Sequence, residues 1–308
     1  MKTTQTMLLL FALALTTVGT SAAQETGPAA RERLVVSAQW LRQHAADPEM
    51  VLLHVGNRGG YDTGHIPGAR FVDFSTTLAT SGGENGLTLE LPAADTLRER
   101  LAALGISDRS RVIVYQSSPS WTQSSRVMLT LDYAGLTNVS LLDGGQAAWV
   151  AAGGTLTTDV PAEKKGTLSP LKTRAAVVDA EFVKSHLHTP GFTIIDARLP
   201  AFYDGTRTGG APNAEHKTGH IPGAVNVPFD SFTTPDAQLK PSSEIAAAFS
   251  RAGIKPGDTV ITYCHIGQQA TATLFAARLL GYNALLYDGS FEDWSRRNLP
   301  VETAVTRK

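Results

Sequence analysis

Short apolar runs recur along the chain and alternate with longer stretches whose apolar positions return every three or four residues. Phe192–Asp196, Thr259–Tyr263 and Asn283–Tyr287 have the length and β-branched or aromatic content of buried strands. Residues 242–252, 271–280 and 291–297 carry helical spacing instead. Ser242 or Ser243 stands where it could cap the first of these helices, ahead of Glu244. Strands separated by crossover helices predict an α/β fold built on an open, mainly parallel sheet flanked by helices. Ligands of such sheets bind beyond the carboxyl ends of the strands. Asp196 and Cys264 both stand at strand ends, so both are expected to face one pocket.

The whole pattern occurs twice. Leu52-Leu53-His54-Val55-Gly56 matches Ile194-Ile195-Asp196-Ala197-Arg198, and Val112-Ile113-Val114-Tyr115 matches Val260-Ile261-Thr262-Tyr263. Gly64-His65-Ile66-Pro67-Gly68-Ala69 returns as Gly219-His220-Ile221-Pro222-Gly223-Ala224, after an insertion near residues 205–217 that only the second copy carries. Asp143-Gly144-Gly145 with Trp149 returns as Asp288-Gly289-Ser290 with Trp294. The period far exceeds the ~20–50 residues of solenoid repeats, so a domain has been duplicated. The two domains are expected over residues 31–154 and 176–306. Between them, residues 155–175 contain Pro161, Lys164-Lys165-Gly166 and Pro170 and read as an exposed linker.

The chain ends and charge narrow the setting. Met1-Lys2, the apolar stretch from Met7 to Leu15 and the small Ser21-Ala22-Ala23 have the pattern of a cleavable signal peptide over residues 1–23, cut after Ala23. Its apolar core is shorter than the roughly 20 residues that span a bilayer. A periplasmic or secreted protein, not inserted in a membrane after cleavage, is therefore expected. The formal net charge of −1 gives no electrostatic reason to expect nucleic acid as a partner, and a monomer is expected. The eight histidines show no metal-ligand spacing, so neither a metal nor another cofactor is expected.

Cys264 is the only cysteine in the sequence. It can form no internal disulfide, and an unpaired thiol in an oxidising compartment is open to oxidation. It is either a buried packing residue or a nucleophile. The second reading draws on its place: strand, the loop Cys264-His265-Ile266-Gly267-Gln268-Gln269-Ala270, then helix. That arrangement aims backbone N–H groups and a helix N-terminus at the sulfur.

The paired Gly-His-Ile-Pro-Gly-Ala segments, Asp196-Ala197-Arg198, the strand-end cysteine loop and the Asp-Gly-Gly/Ser…Trp element of each copy together resemble the two-domain rhodanese family of sulfurtransferases, over nearly all of the chain after the signal segment. The resemblance implies tandem rhodanese-like domains, the first silent and the second bearing a cysteine that becomes a persulfide. The sequence fits that asymmetry: the first copy has Gln116 where the second has Cys264, and His54 and Gly56 where the second has Asp196 and Arg198. The implied reaction moves a sulfane sulfur from a small anionic donor, thiosulfate first, to a thiophilic acceptor such as cyanide or a thiol. A 3-mercaptopyruvate donor and a non-turnover sulfur carrier are the alternatives. Arg198 is expected to grip the donor through its guanidinium fork, with Asp196 orienting it. His265, Gly267, Gln268 and Gln269 are expected to line the donor site, Ala270 to support it, and Ser120-Trp121 to form an apolar wall. His65 and His220 recur in both copies and are expected to serve turn geometry.

The loop departs from both familiar family patterns. His265 and Ile266 replace the basic pair of vertebrate-type thiosulfate enzymes, and only Gly267 is shared with the Gly-Ser-Gly-Val-Thr loop of mercaptopyruvate enzymes. Some phosphatases share the fold, but they need an arginine five residues beyond the nucleophile's neighbour to bind phosphate. Ala270 stands at that position and supplies no such charge.

Overall fold

The computed structural model describes residues 27–80, 86–211 and 214–304; the segment read as a signal peptide lies outside them. In the first copy the elements run α1 (Gly27–Leu34), β1 (Val35–Val36), α2 (Ala38–His44), β2 (Met50–Val55), α3 (Arg58–Thr63), β3 (Arg70–Val72), α4 (Ala94–Ala103), β4 (Arg111–Gln116), α5 (Thr122–Tyr133), β5 (Val139–Leu142) and α6 (Gly145–Ala151). The second runs β6 (Val177–Val178), α7 (Ala180–Ser185), β7 (Phe192–Asp196), α8 (Pro200–Tyr203), β8 (Gly210–Ala211), β9 (Ala214–Glu215), β10 (Val225–Asn226), a 3-10 turn (Phe229–Phe232), α9 (Ser242–Arg251), β11 (Thr259–Tyr263), α10 (Ala270–Leu279), β12 (Asn283–Tyr287) and α11 (Ser290–Arg296). Each copy builds a five-stranded sheet, ordered β1-β5-β4-β2-β3 and β10-β7-β11-β12-β6, with every pairing parallel. The central strands β4 and β11 are buried along nearly their whole length, which is why they read as continuous apolar runs. Among the described residues no helix is long and apolar enough to cross a membrane.

Matching sequence gives matching local chemistry. Ser37 caps α2 by accepting from Trp40 N at 3.1 Å, and Asp179 caps α7 by accepting from Phe182 N at 2.8 Å. The two histidines of the paired turns do the same work. His65 Nδ1 lies 2.8 Å from Tyr61 O and stacks on that ring, and His220 Nδ1 lies 2.8 Å from Tyr203 O and stacks likewise. One expected cap is different. Pro241, not Ser242 or Ser243, is the N-cap of α9, and no side chain bonds the first turn. Its extended ψ of 145° already sets the chain entry, so Ser242 becomes the first helical residue.

The two units share one apolar core that runs through α5 and α10 and contains Trp121, Val127, Phe275 and Cys264. Ser125 Oγ meets Thr271 Oγ1 at 2.8 Å, Trp121 packs edge-on against Phe275, and Arg278 Nη1 donates to Asp132 Oδ2 at 2.8 Å. Helix α1 reaches across as well, with Arg31 donating to the Leu239 and Lys240 carbonyls. The segment read as an exposed linker is exposed at most positions and is also strapped to the first unit. Gly166 N donates to Ala102 O at 2.8 Å, Ser169 bonds Asp108, and a Cβ on Gly166 would meet Ile106 O at 2.0 Å.

Candidate active site

Cys264 follows the last residue of β11 and is completely buried. Its N–H donates to Ser290 Oγ at 3.2 Å, and its carbonyl accepts from Phe291 N at 3.0 Å. The His265 carbonyl accepts from Glu292 N, so the start of α11 is pinned to the cysteine loop. Ser290 holds φ at 51°, the left-handed region, where the first copy has Gly145 at 56°. A non-glycine residue is strained there, and the strain is offset by the two bonds of its hydroxyl, from Cys264 N and to Tyr287 O. Beyond Cys264, the backbone N–H groups of residues 265–270 have no acceptor among the described residues. These six consecutive donors lie between Cys264 and the first turn of the ten-residue α10, where unpaired backbone N–H groups and the helix N-terminus favour an anion.

Asp196 and Arg198 form a completely buried pair beside this loop. Arg198 donates from Nε to both carboxylate oxygens at 3.0 and 3.1 Å, from Nη2 to Oδ2 at 2.6 Å, and from Nη2 to Gly219 O at 2.7 Å. Its guanidinium carbon sits 4.0 Å from the Phe291 ring centroid. Tyr263 donates to Asp196 Oδ2 at 2.7 Å and accepts from Ile221 N at 3.0 Å. Burial opposes the Arg198 charge, but Asp196 outweighs it and holds the group above its ordinary range; the field of that charge extends to Cys264. The bonds to Asp196 and Gly219 occupy Nε and Nη2, so Arg198 is held as a buried charge near enough to interact electrostatically with Cys264. In the first copy the same frame is neutral. His54 takes the place of Asp196 and meets the Tyr115 hydroxyl at 3.1 Å, and burial, with His65 nearby, lowers its pKa to about 4.

The insertion of the second copy folds over the same side. Its hairpin β8–β9 leads into His216, which is buried and whose Nδ1 lies 3.5 Å from His265 Nδ1. The Gly209 backbone presses on the His265 ring so closely that a Cβ would lie 2.3 Å from it, and Phe202 meets that ring edge-on. Burial, Arg198 and His216 together lower the His265 pKa to about 4, so the residue after the nucleophile is uncharged near neutrality. Gly267 has φ of 78°, and a Cβ there would lie 2.6 Å from Asp288 O. The Gln268 side chain turns to the first unit, donating to Thr122 Oγ1 at 3.1 Å, while Gln269 Oε1 is buried without a partner among the described residues. Ala270 opens α10 and is fully buried. Trp121 packs on Phe275 in the shared core. Among the described residues no group of three or more His, Cys, Asp or Glu side chains could hold a metal ion.

A family model described as a rhodanese-like domain matches residues 37–152 and again residues 179–297. The chain belongs to the rhodanese family. This rhodanese is 32% identical over 272 residues to the thiosulfate sulfurtransferase of Pseudomonas aeruginosa, covering 87% of this chain and 97% of that one. It is 31% identical over 279 residues to the 3-mercaptopyruvate sulfurtransferase of Escherichia coli, again covering 87% and 97%. The crystal structure of the latter superposes with a TM-score of 0.73 over 83% of this chain and 98% of its own. A solved form of EanB that carries a cysteine persulfide, together with ergothioneine, matches with a TM-score of 0.76 and 25% identity, over 88% of this chain and 70% of that one. The protein is thus a rhodanese-family sulfurtransferase of the thiosulfate or 3-mercaptopyruvate type.

Three groups near the thiol escape sequence reasoning: Ser290, His216 and Arg126. A fourth, Glu90, lies where the two units meet, facing Asp288, Arg126, Asp293 and Glu292. Burial, and then the negative charge of Asp288, pushes its carboxyl up from 4.5 to about 7. The fold therefore favours the protonated form. Stability from this group is full below the ordinary carboxyl range and is lost as pH rises through about 7. Glu90→Gln is expected to raise the melting temperature at about pH 8 and to leave it unchanged at about pH 4. Thermal melts across that range check this, and parallel curves for the two proteins would refute it.

Proposed function

We propose that the protein transfers a sulfane sulfur from a small anionic donor to a thiophilic acceptor through a persulfide on Cys264. The observation that carries this reading is the lone buried thiol followed at once by six N–H donors without an acceptor among the described residues, in the one copy that also holds the Asp196–Arg198 pair. With thiosulfate, the Cys264 thiolate attacks the outer sulfur, the donor's S–S bond breaks, and sulfite leaves with the bonding electron pair. The product is Cys264–S–S⁻, whose terminal charge is met by the N–H groups of residues 265–270. Cyanide or a thiolate then attacks that terminal sulfur and the Cys264 thiolate leaves. Arg198 keeps a positive field behind both anions without being displaced from Asp196. Gln269 Oε1 and the His265 ring line the approach.

A 3-mercaptopyruvate donor is the second reading, favoured by the uncharged His265. No cation directly follows the cysteine to bind a dianion. Intact-mass measurement after incubation with each donor tests both. A gain of one sulfur atom on the wild type, absent from Cys264→Ser, is expected, and the faster donor names the type. No gain from either donor would overturn the proposal.

A further inference from the structure

The cysteine loop is held from outside its own domain. Arg126, on α5 of the copy without a nucleophile, is 1% exposed, and its Nη1 donates to the Gly267 carbonyl at 3.1 Å. The same nitrogen pairs with Asp288 Oδ1, and Nη2 donates to the Leu89 carbonyl. Asp288 in turn accepts from Leu91 N at 3.3 Å, and it begins the turn whose Ser290 receives the Cys264 N–H. One buried guanidinium therefore ties together the two segments that flank the thiol, residues 264–269 and 288–290.

The direction of the Gly267 carbonyl has a consequence fixed by covalent geometry. The chain has no cis peptide bonds among the described residues, and in a planar trans peptide the C=O and the following N–H point in opposite directions. With Gly267 O turned toward the Arg126 guanidinium, Gln268 N–H must point away from that guanidinium. That N–H is one of the six without an acceptor. Gly267, at φ of 78°, is the residue about which this peptide plane could rotate most freely. Released from Arg126, it could turn its carbonyl toward the sulfur and replace an attractive dipole by a repulsive one.

We propose that Arg126 is a positioning residue for sulfur transfer: by holding the Gly267 carbonyl it aims the Gln268 N–H into the cradle around Cys264. This rests on the persulfide reading above and gives the silent domain a part in the chemistry of the active one. A purely adhesive role would be shared by other anchors between the units. Arg278 pairs with Asp132 across the same helices and makes no hydrogen bond or ion pair to the loop among the described residues.

The test compares Arg126→Met, Arg126→Lys and Arg278→Met in the full chain. Each is measured for single-turnover sulfur loading from thiosulfate, for iodoacetamide alkylation of Cys264 at neutral pH, and for the ultraviolet absorbance of the thiolate. Loss of one donor to a developing anion predicts loading slower on the order of 10²-fold in Arg126→Met, with slower alkylation and weaker thiolate absorbance. Lysine can still reach Gly267 O and Asp288, so Arg126→Lys is expected to recover a part of each. Arg278→Met is expected to melt earlier with both rates within about twofold of wild type. Should Arg126→Met fail to fold, the pair Arg126→Met with Asp288→Asn leaves no buried charge unmatched and carries the same expectation. Wild-type alkylation and absorbance in a folded Arg126 variant would overturn the inference. If the wild type takes sulfur from no donor, the persulfide reading fails by itself, because the alkylation comparison needs no sulfur transfer.

Discussion

Cys264→Ser is expected to abolish thiocyanate formation from thiosulfate and cyanide, by a factor of about 10³ or more, while the protein stays folded. The alcohol is far less acidic than the thiol, so the N–H cradle cannot hold it as an anion near neutral pH. An oxygen nucleophile would also leave poorly from the sulfur it had captured. Structural cost is small. Serine differs by one atom, and the backbone bonds that fix this position, to Ser290 Oγ and from Phe291 N, do not use the side chain. Circular dichroism should therefore change little, and the melting temperature should fall by only a few degrees, since burying a hydroxyl at a completely buried site costs about 1–3 kcal/mol without a partner. Turnover in folded Cys264→Ser at more than a small fraction of wild type would end the persulfide reading.

Much of the fold is visible in the chain because duplication repeats the pattern. The strands Phe192–Asp196, Thr259–Tyr263 and Asn283–Tyr287 lie where their apolar runs put them, since buried parallel strands show themselves as continuous apolar segments. Helix α1 shows no such signal. Leu34 is its only large apolar residue, and it is held by contacts with α10 and with the carbonyls of Leu239 and Lys240, far along the chain. The site divides in the same way. Cys264 stands out in the sequence as the candidate nucleophile because it is the only thiol and because Gln116 stands in its place in the first copy. Asp196 and Arg198 were legible as a pair, but the sequence directed Arg198 to the donor, whereas the structure commits its Nε and Nη2 to Asp196 and Gly219. Arg126 gave no local signal at all: it sits 141 residues before Gly267 on an otherwise ordinary helix. Ser290 appears in the sequence only as the counterpart of Gly145. Its importance appears only when its positive φ and its bond to Cys264 N are seen together.

Asp196→Asn should produce the largest loss of stability of any single change near the site. The carboxylate receives Arg198 through both oxygens, the Arg198 backbone N–H at 2.9 Å and the Tyr263 hydroxyl, and neither partner of the ion pair reaches solvent. Taking two charges out of water is costly, and the pair's mutual attraction offsets that cost only while both members remain. The amide leaves Arg198 buried with the Gly219 carbonyl and the Phe291 ring as its main compensation. Breaking a buried pair in this way costs about 3–5 kcal/mol, which corresponds to a melting temperature lower on the order of 10 °C. The double change Asp196→Asn with Arg198→Met removes the stranded charge and should recover a large part of that loss. It should not recover sulfur loading, because the positive field behind Cys264 goes with Arg198. Thermal melts and single-turnover loading on the two variants separate the contributions. A double variant as unstable as Asp196→Asn would show that the pair is not what holds this corner, and full loading in the double variant would show that Cys264 does not depend on the Arg198 charge.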